Sequence, residues 1–414
     1  MKPELASRLL ELTGEAVSEH SLPFGSGVLP KVAPSDEQSA AEVLRWASTE
    51  GLRVLPLGSG SRLASQPPSN ADLVVSCERL VGVVEHEPAD GTLTVRAGTP
   101  LREVQEAAKA HGHEVAPLDW HGTVGGALAH GADGHARSVT GPARDHVLGA
   151  RLALPNGDLV RSGGRLVKNV TGYDLHRLAV GARGTTGIVT EVTLRLLTAP
   201  IELCRLTLQA ATFEELHGIA LDHLRGTTPA RSCAIVQLAD GRHLLEATFG
   251  GTREAVEDAL APLSTREPTL EWGVKDDCSV VRLAERSLDA PSSTRLSLSD
   301  RPSRQAAGWR ELHDTVDPDE CALVAEPLIG RLTILHRTAD GDRLQRTLEH
   351  VRRCSQLVQA SLRWEGVDPG IDRQLAQSLH APAMAAAEGA RASLAQELSG
   401  RIRGALDPAG TLSR

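Results

Sequence analysis

The chain has few aromatic side chains and no long apolar run. Its 414 residues include five tryptophans, three phenylalanines and one tyrosine, an aromatic content of 2%. No segment approaches the ~18 consecutive apolar residues of a membrane helix. The first residues, MKPELASRLLELTG, place Glu4 and Glu11 inside an apolar pattern, which indicates an amphipathic helix rather than a signal peptide. We therefore expect a cytoplasmic protein without direct membrane insertion.

Paired cysteines and clustered basic residues are also lacking. The six cysteines form no CxxC motif, so their spacing indicates neither an iron–sulfur cluster nor a structural zinc site. No histidine-rich motif lies beside an acidic cluster, so we expect no metal site and interpret histidines such as His130, His135 and His217 as exposed or loop residues. The net charge of −9, with dispersed Lys and Arg, argues against nucleic-acid binding.

Glycine is abundant instead, with 39 residues, and it is dense between Pro117 and Leu197. An earlier glycine loop, Gly58–Arg62, directly follows the apolar run Leu52–Leu57, which fits a buried strand. Glycine-rich turns expose successive backbone N–H groups that bind anions. The loop lacks the third glycine and the following helix of the dinucleotide fingerprint, so an ordinary turn is the alternative. The two regions together indicate a large phosphate-bearing ligand.

Four segments in order carry a family resemblance: PLGSGS, HGTVGGALAHG, TGPARDHVLGARLALPNGD and LVKNVTGYDLHRLAVGARGTTGIVTEVTLRL. Across about residues 28–198 they resemble the FAD-binding domain of the vanillyl-alcohol oxidase type flavoproteins, also called the PCMH-type domain. The segments RDHVLG and KNVTGYDLHRL are most similar to the FAD-binding subunits of bacterial glycolate oxidases.

The resemblance implies non-covalently bound FAD. Covalent members of the family use a histidine or cysteine in or near the glycine loops, and residues 58–62 contain neither. His121 and His130 flank the second loop and keep covalent attachment open as an alternative. The implied cofactor contacts are the pyrophosphate loop (Pro56, Gly58, Ser59, Gly60, Ser61, Arg62), the second phosphate loop (Thr123, Gly125, Gly126), the pair Arg144 and Asp145, the KNxxGYD segment (Lys168, Asn169, Gly172, Tyr173, Asp174) and the adenine or ribose segment (Gly187, Ile188, Val189).

Some of these residues have a structural alternative. Arg144, Asp145 and Asp174 fit surface or structural salt bridges as well as cofactor contacts. Tyr173, the single tyrosine, is expected to pack rather than to take part in chemistry.

The pattern of elements predicts an α+β protein. The resemblance implies a PCMH-type FAD-binding domain of two α/β subdomains. The C-terminal half repeats a strand-helix-strand-strand-helix-strand order, which predicts an α+β cap domain whose antiparallel sheet joins two β-α-β-β-α-β units. The predicted division is an N-terminal helix and linker (1–27), the FAD-binding domain (28–198), the cap or substrate domain (199–395) and a C-terminal tail returning to the flavin domain (396–414). Leu406 stands where the family tail has an aromatic residue.

Local signals add finer expectations. Ser35 with Gln38 is typical of a capping box, and Thr99 before Pro100 is typical of a helix cap. Residues 18–27 are rich in Ser, Pro and Gly and predict a loop. The alternation from Ile188 to Leu196 predicts a half-buried strand.

By resemblance, we expect an FAD-dependent oxidoreductase acting on the CH–OH group of a 2-hydroxy acid such as glycolate. It is expected to work in a hetero-oligomer beside a second flavoprotein subunit and an iron–sulfur subunit. Two alternatives stay open: a non-catalytic flavin-holding or assembly subunit, and a stand-alone FAD dehydrogenase for another alcohol or sugar acid. The sequence identifies no catalytic residue, and the candidate cations for a substrate carboxylate are Arg62, Arg295 and Arg331.

Overall fold

The computed structural model divides the chain into two compact units. The first unit contains Met1–Gly134, Pro142–Ala199 and Ala390–Arg414, and the cap unit contains His135–Gly141 and Pro200–Gly389. Within the described ranges, every helix is too short or too polar to span a lipid bilayer. The structure describes residues 3–23, 27–63, 70–115, 122–131, 134–165, 173–223, 226, 228–238, 240–274, 294–317, 320–336, 341–358, 361–366 and 390–412.

A four-stranded sheet opens the first unit, in the order β1-β2-β4-β3. Strands β2, β4 and β3 are parallel, and β1 pairs antiparallel with β2. Buried residues of α2 and the sheet share one core, in which Leu44 and Val54 are fully buried. The elements are α1 (Pro3–Thr13), β1 (Ser18–Ser21), β2 (Val28–Val32), α2 (Glu37–Thr49), β3 (Val54–Leu57) and β4 (Leu73–Ser76).

Two local expectations are wrong in this sheet. Residues 18–27 do not form a continuous loop, because Ser18–Ser21 pairs with β2 as an edge strand. The cap of α2 is Asp36 rather than Ser35, since the Asp36 carboxylate accepts a hydrogen bond of 2.8 Å from the Ser39 N–H. A carboxylate at this position also interacts favourably with the positive end of the helix dipole.

The second sheet of the first unit has the order β5-β6-β10-β8-β9 and is antiparallel throughout. Asp90-Gly91 and Asn156-Gly157, two dipeptides that favour hairpins, lie between paired strands. The elements of this region are β5 (Val83–Glu87), β6 (Thr92–Arg96), α3 (Leu101–Lys109), β7 (His113–Glu114), α4 (Val124–His130), β8 (Val147–Ala153), β9 (Leu159–Gly163), β10 (Ile188–Arg195) and β11 (Leu197–Thr198), which pairs with β7.

The central strand β10 is buried on both faces, so the expectation of a half-buried strand is wrong. Its register shifts between Val189 and Glu191, which breaks the simple alternation. The hydroxyls of Thr94 and Thr193 form a buried hydrogen bond of 3.0 Å. Thr99 does not cap α3 either, because its hydroxyl donates to the Arg96 carbonyl at 2.6 Å.

The C-terminal segment returns to the first sheet after helix α10 (Ala390–Leu406). The Asp407 carboxylate accepts hydrogen bonds of 2.8 Å from the N–H groups of Thr411 and Leu412. The Val54 N–H then donates to the Thr411 carbonyl at 2.6 Å, and Leu412 joins the core beneath β3. An aromatic residue at position 406 is therefore not needed for this contact.

The cap unit contains an eight-stranded antiparallel sheet in the order β15-β12-β14-β13-β17-β18-β16-β19. Two β-α-β-β-α-β units meet at β13 and β17, which confirms the predicted fold class. Strand β15 was not predicted. The elements are α5 (Arg137–Thr140), β12 (Glu202–Ala210), α6 (Phe213–His223), β13 (Ser232–Gln237), β14 (His243–Gly251), α7 (Arg253–Leu260), β15 (Thr269–Trp272), β16 (Thr294–Ser299), α8 (Gln305–His313), β17 (Cys321–Glu326), β18 (Arg331–His336), α9 (Gly341–Val358) and β19 (Ser361–Gly366).

Two histidines are part of the cap core. Phe213 and Trp309 stack with ring centroids 4.3 Å apart, His217 stacks on Phe213 at 5.3 Å, and His243 meets Trp309 edge-on at 5.9 Å. All four side chains are buried. His217 is therefore not an exposed helix residue, and the expectation from its spacing is wrong. Burial lowers the pKa of His217 and of His243.

These histidines predict that the cap loses stability in mild acid. Because their folded-state pKa lies below that of an unfolded histidine, about 6.5, their stabilisation is complete above that pH and declines as the pH falls below it. Each contributes at most about 1.4 kcal/mol per pH unit. We expect His243→Leu to flatten the decrease in melting temperature between pH 7.5 and 5.5, while exposed His350→Gln keeps the wild-type slope. Equal slopes for both variants would contradict this assignment.

Candidate cofactor-binding site

A cleft in the first unit brings together three segments that are distant in sequence. Strand β3 leads into the first loop, α4 follows the second, and β10 follows the third. The described lining residues are Pro56, Leu57, Gly58, Ser59, Gly60, Ser61, Arg62, Leu63, Cys77, Ala97, Thr123, Gly125, Gly126, Ala129, His130, Ala179, Arg183, Gly184, Gly187, Ile188 and Val189.

The first loop begins where β3 ends, and it packs closely on the second loop, with a glycine of each loop facing a hydroxyl side chain of the other. Gly60 has φ +77°, which favours glycine. A Cβ on Gly58 would lie 2.2 Å from the Thr123 hydroxyl oxygen. Gly122, in the second loop, is constrained in the same way, because a Cβ there would lie 2.5 Å from the Ser61 hydroxyl oxygen of the first loop. Glycine is thus required at both positions for the backbones to approach.

The second loop is anchored to the end of β6. The N–H groups of Val124 and Gly125 donate to the carbonyls of Thr99 and Ala97 at 3.0 and 2.8 Å. Thr123 caps α4, since its hydroxyl accepts from the Gly126 N–H at 3.2 Å. Thr123 therefore fixes the loop that faces Gly58.

The third segment, residues 179–189, covers the side of the cleft next to Pro56. Gly184 has φ +78°, and a Cβ there would lie 3.1 Å from Pro56 Cγ. Arg183 has φ +54°, and its N–H donates to the Ala129 carbonyl at 2.6 Å. Ile188 and Val189 add buried apolar surface.

The described lining suits a dinucleotide carrying a diphosphate. Arg62 and Arg183 supply positive charge, hydroxyls come from Ser59, Ser61 and Thr123, and none of the described lining residues is acidic. Burial raises the pKa of the Cys77 thiol to about 12, so Cys77 adds no charge at neutral pH. The glycine turns let backbone groups reach the anion, and the apolar residues suit a ring system.

Most of the cofactor contacts predicted from the sequence meet in this cleft. Their role in binding stays a prediction, because position alone does not establish a contact with the cofactor. The predicted residues that line the cleft are Pro56, Gly58, Ser59, Gly60, Ser61, Arg62, Thr123, Gly125, Gly126, Gly187, Ile188 and Val189.

The remaining predicted contacts are not among the described lining residues. Arg144 and Asp145 lie 3.7 Å apart as an exposed ion pair, and Asp174 pairs with Arg177 at 3.2 Å. Tyr173 is 90% exposed, so the expectation that it packs is wrong. Lys168, Asn169, Gly172 and His121 lie outside the described residues.

The sequence interpretation missed several lining residues. His130 is buried and lines the cleft, so its interpretation as an exposed loop residue is wrong. Arg183 lies within the quoted segment GARGTTGIVTE, where glycines on both sides could have indicated a tight turn. Cys77 and Ala97 carry no such signal, because the pairing of strands places them. The missed residues are Leu57, Leu63, Cys77, Ala97, Ala129, Ala179, Arg183 and Gly184, whereas His130 was named only as a possible site of covalent attachment.

A buried charged cluster lies in the cap unit. Glu326 is 3% exposed, and its carboxylate accepts hydrogen bonds from Arg331, with Nη2 at 2.7 Å from Oε1. His135 Nδ1 lies 2.8 Å from the same Oε1. Arg331 already pairs with Glu326, so it is a weaker candidate for binding the carboxylate of a substrate. Among the residues that the structure describes, no group of His, Cys, Asp or Glu could hold a metal ion.

Comparisons with known proteins agree with the geometry. The family described as FAD binding domain matches residues 30–163. A D-2-hydroxyglutarate dehydrogenase of Xanthomonas citri pv. viticola is 37% identical over 172 residues, which cover 40% of this chain and 36% of that protein. Glycolate oxidase subunit GlcE of Escherichia coli (strain K12) is 34% identical over 168 residues, covering 39% and 47%. The matches thus span less than half the length of these relatives.

A solved structure of alkyldihydroxyacetonephosphate synthase matches with a TM-score of 0.68 and 14% identity, over 92% of this chain and 75% of that one. At this identity the likeness shows the fold alone. Residues 30–163 match the family described as FAD binding domain, and FAD is the cofactor of this protein.

Proposed function

We propose that the chain is an FAD-dependent oxidoreductase that acts on the CH–OH group of a small 2-hydroxy acid, such as glycolate. The observation that carries this proposal is the cleft formed by the three segments of the first unit, whose described lining is cationic, hydroxyl-rich and free of acidic side chains. The names of the relatives supply the substrate class, since D-2-hydroxyglutarate and glycolate are both 2-hydroxy acids.

Within this proposal, the residues of the chain bind and orient the cofactor. Gly58 and Gly122 let the two loops approach each other, Gly125 lets α4 pack on Ala97, and Ile188 and Val189 supply apolar surface that excludes water beside the cofactor. Bound FAD would supply the hydride acceptor for oxidation of the substrate carbon. The described residues identify neither a base for the hydroxyl proton nor a carboxylate clamp.

We also propose that the chain works in the cytoplasm, beside a second flavoprotein subunit and an iron–sulfur subunit that accept its electrons. The similarity to a glycolate oxidase subunit supports this assembly. Co-purification of the chain with two further subunits from its native host is the expected result. A chain that turns over fully with glycolate and a dye on its own argues against an obligate complex.

The visible spectrum of the purified chain tests the activity. We expect flavin absorbance that bleaches under anaerobic conditions when glycolate, D-lactate or D-2-hydroxyglutarate is added, and that does not change with acetate, which lacks the hydroxyl group. The absence of flavin after incubation with FAD would overturn the proposal. Bleaching by an unrelated alcohol or a sugar acid, but by none of the three hydroxy acids, would assign a different substrate class.

A non-catalytic flavin-holding subunit is the second candidate. The pairing of Arg331 with Glu326 favours this second candidate. Arg331 is one of the arginines that could bind a substrate carboxylate, and its guanidinium already binds Glu326. Bound flavin that no hydroxy acid bleaches would support this role. Reconstitution separates the two candidates: unchanged activity of the complex after removal of this chain's flavin indicates a structural subunit.

A further inference from the structure

Arg183 adopts a backbone conformation that side chains other than glycine rarely take. Among the residues that the structure describes, Arg183 at φ +54° and Glu267 at φ +51° are the non-glycine residues with positive φ. The left-handed region places Cβ close to the following carbonyl, so an arginine there is strained. Such strain persists only where the surroundings fix it, and it is concentrated at functional sites.

The surroundings of Arg183 fix its backbone on both sides. Its N–H donates to the Ala129 carbonyl at 2.6 Å, and the Gly181 N–H donates to the Leu128 carbonyl at 2.9 Å. Both acceptors belong to the end of α4. On the other side, Gly184 lies against Pro56, where a Cβ would come within 3.1 Å of Pro56 Cγ. The turn is therefore held between α4 and the end of β3.

Arg183 is half-buried and is among the residues that line the cleft. Arg62, from the first loop, is the other arginine in the described lining, and no described lining residue is acidic. Two arginines from separate loops thus contribute positive charge to the described lining. A glycine at position 183 would relieve the strain, but it would remove one of these charges.

We propose that Arg183 binds the diphosphate of the FAD dinucleotide, and that the strained turn of residues 181–184 serves to present its guanidinium to the cleft. The inference rests on the proposed cofactor cleft and adds a residue to it. Guanidinium groups suit this role because they are always charged and donate several hydrogen bonds in one plane. Hydrogen bonds to charged groups are the strongest of those that side chains form.

The test compares two replacements of Arg183. Arg183→Gln keeps the strained backbone and removes the charge, whereas Arg183→Gly removes both. We expect both variants to bind FAD about 10- to 30-fold more weakly in a titration of the flavin-free protein followed by flavin fluorescence. Glu267→Gly is the matched control, because it relieves the same backbone conformation at an exposed position of the cap unit, and it keeps wild-type affinity.

Thermal unfolding of the flavin-free variants separates binding from folding. Arg183→Gly and Glu267→Gly are expected to melt at the wild-type temperature or up to about 3 °C above it. Calorimetry with ADP and with adenosine locates the contact: Arg183→Gln loses affinity for ADP and keeps its affinity for adenosine.

Four results would overturn the inference. If Arg183→Gln binds FAD like the wild type while Arg183→Gly does not, the residue acts through its backbone alone. If both variants keep full affinity, Arg183 has no part in binding, and the proposed function is unaffected because the wild type still binds FAD. Equal losses for ADP and adenosine would assign Arg183 to the nucleoside rather than the diphosphate. A wild-type chain that does not bind FAD would overturn the proposed function as well.

Discussion

Replacing Arg331 by methionine is expected to lower the free energy of unfolding by about 3–5 kcal/mol. The positive charge of Arg331 offsets most of the cost of burying the Glu326 carboxylate. Without Arg331, His135 is the remaining partner of that carboxylate. Burial by itself raises the pKa of Glu326, but Arg331 and His135 outweigh burial and hold the pKa well below its ordinary value. The single variant therefore buries a charge that has lost its main partner.

Urea denaturation at pH 7 measures this loss. Arg310→Met is the matched control, because Arg310 pairs with Glu214 at 2.9 Å on the surface, and such pairs contribute up to about 1 kcal/mol. The double variant Glu326→Leu/Arg331→Met is expected to recover most of the stability, since an apolar pair replaces the charges. A loss below about 1 kcal/mol in Arg331→Met would show that the cluster does not depend on this arginine.

The same cluster gives a pH dependence that lies at lower pH than that of the cap histidines. A carboxyl whose pKa is lowered by folding stabilises the protein above its unfolded pKa, near 4.5, and this contribution is lost as the pH falls through the folded pKa. Because that pKa is well below the ordinary range, the pair is retained in weak acid. In Arg331→Met the pKa of Glu326 is raised, so the penalty of the variant decreases as the pH is lowered from 7 to 4.

Replacing Gly58 by alanine is expected to weaken FAD binding by about 100-fold, or about 2.7 kcal/mol. The added methyl group would lie 2.2 Å from the Thr123 hydroxyl oxygen, so the two phosphate loops must separate. Forced overpacking of this kind costs about 1–3 kcal/mol, and the separation also weakens the backbone contacts that each loop offers to the diphosphate. Titration of the flavin-free protein with FAD measures the change.

The structure offers a rescue for this variant. Thr123→Ala removes the oxygen that the new methyl group meets, so the double variant Gly58→Ala/Thr123→Ala is expected to bind FAD more tightly than Gly58→Ala alone. Gly218→Ala is the control, because Gly218 lies in α6 with open space around it, and it keeps full affinity. Additive losses in the double variant would show that the two loops are not coupled through this contact.

Turn chemistry and glycine-rich loops were predictable from the sequence because both depend on local residue types. Asp90-Gly91 and Asn156-Gly157 mark hairpins in any context, and the loop at Gly58 follows its strand directly. The cap of α2 was misplaced by one residue because Ser35 and Asp36 are both good caps, and the backbone geometry decides between them.

Side chains whose environment is set by distant segments were not predictable. His217 is buried because β14 and α8 bring His243 and Trp309 to its helix, which spacing along α6 cannot show. From the sequence, Arg331 was a candidate for binding a substrate carboxylate. In the structure it pairs with Glu326, which His135 also contacts. Strand β15 has only four residues, mostly exposed, and its pairing with β12 defines it. The predicted domain boundaries stay predictions.

The pairing of Val54 with the segment at Leu412 has a consequence for synthesis on the ribosome. The core beneath β3 contains Leu412, so the first unit cannot complete its packing until that residue has been translated. The cap segment, residues 200–389, is made in between, over about 10–40 s at 5–20 residues per second. The cap can therefore fold first on the nascent chain, while the N-terminal part of the cofactor domain stays open. FAD is then expected to bind after translation is complete, rather than during it.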